Sequence, residues 1–176
     1  MKRSRAAFWS LSGLLAGAFG WLAGALVGSN MGRTVLAAAA IAAACGLLAR
    51  RPRLAVLAGL ATAVAASLAF FIGRTWITPL IAWPVAGLAI GLTSLALLKR
   101  TRARIVTVVA TPLLGSLGFV LGMVGTIFAG MAANNAIVVG QFLWGGASGF
   151  GLLTLTTVRI LGARLDRVPV ATGGAS

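Results

Sequence analysis

The sequence predicts an all-α integral membrane protein with six transmembrane helices and both termini in the cytoplasm. Three observations predict it: the composition, six long apolar runs, and an uneven distribution of basic residues. Of 176 residues, 60% are hydrophobic and 9% are charged, whereas soluble domains carry about 25% charged residues. Such a composition indicates that most of the chain lies in lipid.

The apolar runs cover residues 6–28, 34–49, 54–73, 76–98, 105–130 and 136–158. Nearly all are long enough to cross a hydrocarbon core of about 30 Å, and the second is the shortest. The basic residues before the first run are also typical of a signal peptide, but this run is longer than a signal core and five more follow. We therefore expect one transmembrane domain over 1–163 and a short disordered tail over 164–176.

Basic residues are concentrated on one side of this arrangement. Thirteen of the fifteen lie at the N-terminus, in two loops and in the tail, and only Arg33 and Arg74 lie in the alternate loops. The positive-inside rule then places both termini in the cytoplasm of a bacterial-type inner membrane. The predicted cytoplasmic clusters are Lys2, Arg3, Arg5, Arg50, Arg51, Arg53, Lys99, Arg100, Arg102 and Arg104. They would bind anionic lipid headgroups or serve only to set topology.

Small residues recur at helical spacing in the fifth run, where Thr111, Gly115, Gly118, Gly122 and Gly125 fall on one line. The first run has a similar line of Gly13, Gly17, Gly20 and Gly24. We call these lines the α5 seam and the α1 seam. Small residues let another backbone approach closely, so each seam predicts a helix-packing face.

The chain also shows signs of an internal repeat with a period of about 49 residues. Shifted by this period, Gly20 of the first run meets Ala69 and Gly118, and each of these small residues precedes an aromatic residue. One hypothesis is therefore three tandem two-helix hairpins, all inserted the same way round. The alternative is that a sequence rich in Ala, Gly and Leu produces such matches by chance.

The residues that most enzymes need are scarce. The chain has no histidine, one acid (Asp166) and one cysteine (Cys45), so an ordinary metal site, a Ser/His/Asp triad or a pair of carboxylates is excluded. We expect no cofactor and no enzymatic activity. The basic residues lie in short clusters between apolar runs and not on a polar surface, which argues against nucleic-acid binding.

Polar residues in the sixth run provide one candidate site. Asn134, Gln141 and Ser148 fall on one face of the predicted helix. They would line a path for a small neutral solute, or Gln141 would form an interhelical hydrogen bond with a residue such as Thr126.

Two prolines, Pro84 and Pro112, lie inside predicted spans and free the carbonyl groups of Leu80 and Val108. Broken helices can mark transport sites, although a packing kink is the simpler interpretation. Trp83 and Trp144 lie deep in their spans, where they would flank a ligand or fill space opposite glycines.

The function predicted from these features is that of an accessory subunit or assembly factor of a larger membrane complex. Its partners would be the lipid bilayer and either another membrane protein or further copies of this chain. The alternative is a small transport component, either a channel for a neutral solute or a substrate-binding subunit of an importer.

Overall fold

A computed structural model of the chain describes residues 2–73, 78–132 and 139–165. In these ranges the chain forms six α-helices and no β-strand. The helices are α1 (Lys2–Ala25), α2 (Asn30–Leu48), α3 (Pro52–Gly73), α4 (Thr78–Ser94), α5 (Thr101–Ala132) and α6 (Val139–Leu165). A short 3₁₀ turn, Leu95–Leu97, follows α4. The predicted all-helical fold is thus confirmed for the described residues.

The helices extend past several of the apolar runs that predicted them. Helix α1 begins at Lys2, and α6 continues past Val158 to Leu165. A helix satisfies its own backbone hydrogen bonds, so it need not end where the lipid ends. The predicted tail, 164–176, lies outside the described residues from Asp166 onward.

Four helices, α1, α2, α3 and α5, are long and apolar enough to cross a membrane. Helix α4 is shorter, and α6 is long but rich in glycine and threonine.

Large apolar side chains cover the outside of the three odd-numbered helices. Examples are Phe8, Leu15, Phe19, Leu57, Leu60, Leu68, Leu113, Leu117 and Phe128. Soluble proteins rarely expose so much continuous apolar surface, so the structure fits a protein embedded in a membrane.

The helices form a closed ring. Each one packs against its neighbours in the chain, and α6 also packs against α1. The even-numbered helices α2, α4 and α6 make further contacts with one another, which places them toward the centre. Large buried side chains fill this region: Ile41, Trp83, Ile90, Phe119, Phe150 and Leu155. The core is thus built mainly by the even helices, together with Trp21 of α1 and Phe119 of α5.

A left-handed residue ends α2. Arg50 has a φ of 58°, its backbone N–H donates to the carbonyl of Leu47, and that of Arg51 donates to Gly46. These two bonds satisfy carbonyls that the end of the helix leaves free. Glycine normally occupies such a position because it lacks the Cβ that makes this conformation costly.

Replacing Arg50 by glycine is expected to stabilise the protein. Arg50→Gly removes the strain of the left-handed backbone and should raise the free energy of unfolding by up to about 1 kcal/mol. The measurement is the unfolding midpoint in an SDS titration of mixed micelles. Arg53→Gly, in the first turn of α3, is the matched control: it removes the same charge and should destabilise by about 0.5 kcal/mol. Equal effects of the two changes would contradict this account.

Candidate functional site

The α5 seam packs against α6. A Cβ added at Gly118 would overlap the backbone carbonyl of Gly149, and one at Gly122 would overlap that of Gly145. At Gly115 the added atom would lie 2.7 Å from both the ring of Phe150 and the hydroxyl of Thr154. The backbones of α5 and α6 are therefore too close for a side chain at Gly118 or Gly122, whereas at Gly115 the side chains of α6 occupy the space.

The α1 seam contacts two different helices. A Cβ at Gly13 or Gly17 would meet the carbonyl of Gly151 or Ala147 in α6. At Gly20 and Gly24 it would meet the backbone of α2, near Ala37 and Arg33. The structure therefore places these glycines against other helices of the same chain.

One predicted member of the α5 seam lies apart from these contacts. A Cβ at Gly125 would meet nothing within 4 Å, and the residue is exposed. Thr111, at the other end of the seam, is buried and faces Gly91 of α4. Close packing between α5 and α6 thus involves three glycines, at positions 115, 118 and 122.

The two predicted kinks lie in neighbouring helices. Pro84 is inside α4 and Pro112 is inside α5. Gly87, one turn after Pro84, faces Pro112, since a Cβ there would lie 2.7 Å from the proline Cα. Gly91 likewise faces Val108. The carbonyl of Val108 receives no helical hydrogen bond, because Pro112 has no backbone N–H to donate. Two glycines of α4 therefore make room for the part of α5 around Pro112.

Three aromatic rings meet at the centre of the bundle. The ring centroid of Trp83 lies 5.0 Å from that of Phe119 and 4.7 Å from that of Phe150. All three side chains are at least 98% buried. A Cβ at Gly146 would collide with the ring of Phe119, so this ring lies directly on the backbone of α6. Trp83 packs here among apolar rings, whereas Trp144 is 40% exposed.

Several buried polar atoms in this core have no hydrogen-bond partner among the described residues: the indole Nε1 of Trp83 and the hydroxyls of Thr62, Thr107 and Thr154. The Thr154 oxygen lies beside Gly115. A polar group in an apolar interior without a partner is costly. The Nε atom of Arg33 is likewise buried without a partner among the described residues, and each of these atoms could bind a polar group of a ligand.

The predicted polar face of α6 is only partly described. Asn134 lies outside the described residues, Gln141 is exposed, and Ser148 is half-buried. The Ser148 hydroxyl donates to the carbonyl of Trp144 at 2.9 Å. Thr126, the proposed partner of Gln141, donates to the carbonyl of Gly122 at 2.9 Å. Both hydroxyls thus bond to the backbone of their own helix.

The basic clusters lie at the helix ends where the positive-inside rule puts the cytoplasm. Lys2 and Arg3 are in the first turn of α1, and most other cluster residues are exposed. Arg51 Nη1 donates to the carbonyl of Ala96 at 2.9 Å, and Arg104 Nε donates to the carbonyl of Leu98 at 3.0 Å. Arg51 therefore joins the α2–α3 loop to the segment after α4, and Arg104 joins that segment to the start of α5.

The structure also brings together residues that the sequence did not single out. The hydroxyls of Ser10 and Thr156 are 2.6 Å apart and join α1 to α6. Next to them the guanidinium of Arg159 lies 5.8 Å from the ring centroid of Trp9. These pairs are about 150 residues apart in sequence, so no local pattern could have predicted them.

Gly118→Ala is expected to destabilise the bundle, because the new methyl group would overlap the Gly149 carbonyl and force α5 and α6 apart. A cost of about 1–3 kcal/mol is typical of overpacking, and SDS titration monitored by circular dichroism would measure it.

Gly125→Ala is the matched control. It makes the same change in the same helix where there is open space, and it should stabilise by up to about 1 kcal/mol through helix propensity. If both variants unfolded at the same SDS concentration, close contact at Gly118 would not be important for stability.

The candidate site is a ring of helices held by close backbone contacts, with three packed aromatic rings at its centre. It also contains a few buried polar atoms that have no partner among the described residues. One side of the ring carries the basic loops. Comparisons of the chain with family models, with curated proteins and with solved structures found no match.

Proposed function

We propose that all six helices span a bacterial-type inner membrane, with both termini in the cytoplasm and with three equivalent hairpins: α1–α2, α3–α4 and α5–α6. The burial pattern of the odd helices supports this arrangement. Under the 49-residue shift, one residue of α1 corresponds to one residue of α3 and one of α5. Gly13, Thr62 and Thr111 correspond in this way, and all three are buried. Leu15, Val64 and Leu113 also correspond, and all three are exposed.

The first two even helices follow the same period. Buried residues of α2 and α4 correspond under the shift, as in Ala37 and Ala86, Ile41 and Ile90, and Cys45 and Ser94. Helix α6 keeps a buried face, but in a different register, since α5 has 32 residues against 22 in α3. Equivalent hairpins enter a membrane in the same direction, which gives six spans when each hairpin crosses twice.

A reporter placed at Asn134, between α5 and α6, tests this topology. We expect it to report a position outside the cytoplasm, because thirteen of the fifteen basic residues lie at the opposite helix ends. The control is the same reporter at the C-terminus, where a cytoplasmic signal is expected. A cytoplasmic signal at Asn134 would contradict the six-span arrangement.

We further propose that the protein is a non-catalytic accessory subunit or assembly factor of a larger membrane complex. The main support is that large side chains fill the centre of the ring. In addition, every glycine of the two seams except Gly125 packs against another helix of the same chain. Its outer faces, on α1, α3 and α5, then remain for lipid and for a partner. Bulky apolar residues line these faces, and a partner helix would bind them through van der Waals contacts between side chains.

Purification in a mild detergent tests the accessory role. We expect a second membrane protein to co-purify in a fixed stoichiometry, and crosslinks to fall on the outer faces of the odd helices. Leu60→Ala and Leu68→Ala, both on the exposed face of α3, should reduce recovery of the partner without lowering the unfolding midpoint. Ala58→Leu, on the buried face of the same helix, is the contrasting change and should affect folding first. A chain recovered alone or only with copies of itself would contradict the proposal.

A small transport component is the second candidate, and the unpartnered indole of Trp83 is the observation that favours it. A neutral solute with a hydrogen-bond acceptor would satisfy that group. Solute flux into liposomes containing only this chain would support this candidate, particularly if Trp83→Phe abolished the flux while the variant stayed folded. Flux of that kind would argue against the purely accessory role.

A further inference from the structure

We infer that the chain binds anionic phospholipid headgroups at one defined place, the junction between its first two cytoplasmic loops. We call it the basic junction, and its residues are Arg50, Arg51, Arg53, Lys99, Arg100, Arg102 and Arg104. The inference rests on the proposed membrane arrangement and adds a specific ligand to it.

One hydrogen bond joins the two loops, and a second holds the segment between α4 and α5 to the start of α5. Arg51 reaches from the loop between α2 and α3 to the carbonyl of Ala96, and Arg104 reaches back from α5 to the carbonyl of Leu98. Both acceptors belong to the short segment between α4 and α5. The Arg51 bond therefore holds two chain segments, which together carry seven basic residues, next to each other at the helix ends.

No carboxylate side chain offsets this charge in the described part of the chain, since the single acid, Asp166, lies beyond it. Like charges that lie close together repel one another, and an anion between them lowers this repulsion. Arg50, Arg53 and Arg102 are exposed, so the junction offers several basic side chains to an anion from outside the chain.

Exposed apolar residues border the junction and indicate which anion it binds. Leu47 of α2, Val56 of α3 and Ile105 of α5 each lie within a few residues of a junction arginine and are about 60% exposed. A phospholipid would place its phosphate among the guanidinium groups and its acyl chains along these side chains. A soluble anion would use only the charged part of this surface.

Lipid titration of the purified protein in neutral detergent, followed by native mass spectrometry, tests the inference. We expect phosphatidylglycerol to bind at least about tenfold more tightly than phosphatidylcholine, and the preference to fall as salt rises. Arg53→Gln/Arg102→Gln changes two exposed junction residues and should weaken phosphatidylglycerol binding by roughly 30-fold, given about 1 kcal/mol per basic residue. If the double variant does not fold, the single variant Arg102→Gln replaces it in the titration. This single change should weaken phosphatidylglycerol binding by roughly fivefold.

The control variant is Arg164→Gln/Arg167→Gln, which removes the same charge near the C-terminus and should leave phosphatidylglycerol binding unchanged. Equal weakening by both double variants would overturn the inference, because it would show a general effect of net charge. Equal affinity for phosphatidylglycerol and phosphatidylcholine would also overturn the inference. Displacement of bound phosphatidylglycerol by an equal concentration of inorganic phosphate would overturn it as well. None of these results would affect the accessory-subunit proposal, which depends on a co-purifying protein.

Discussion

The close contact of α6 with α1 and α5 is the interaction on which the rest of the structure depends. In lipid, helices gain no hydrophobic energy from one another, so association requires close van der Waals packing. Helix α6 meets α5 at Gly145 and Gly149 and meets α1 at Ala147 and Gly151. Because α1 and α6 are the first and last helices, this contact closes the ring.

Small residues at these contacts determine where the large side chains lie. Where two backbones touch, there is no room for side chains between them, and bulky residues of the odd helices face outward. Toward the centre, Phe119 lies on Gly146 and Phe150 lies beside Gly115, with Trp83 against both rings. Tight contacts between pairs of helices thus leave a central space that three aromatic residues fill, as expected of a close-packed interior.

Much of this could be predicted from the sequence. Composition and the apolar runs indicate a helical membrane protein because lipid requires long apolar helices, and each run contains one of the six helices. Helix α1 ends at Ala25 and α4 at Ser94, a few residues before the ends of their runs. The spacing of Gly115, Gly118 and Gly122 indicates a packing face because helical geometry puts residues three and four apart on one side. Gly125 follows the same spacing and packs against nothing, since spacing alone does not show where the neighbouring helix turns away.

The sequence by itself determined the properties that depend on local chemistry: the helical class, the small-residue faces, the concentration of basic residues at alternate helix ends, and the lack of ordinary catalytic groups. Only the tertiary structure decided which helix each face contacts, that Trp83 meets Phe119 and Phe150, and that Arg51 and Arg104 reach the same segment. The physical reason is that a seam of small residues can pack against the backbone of any helix that fits closely. Which helix becomes its neighbour depends on the packing of all six helices together.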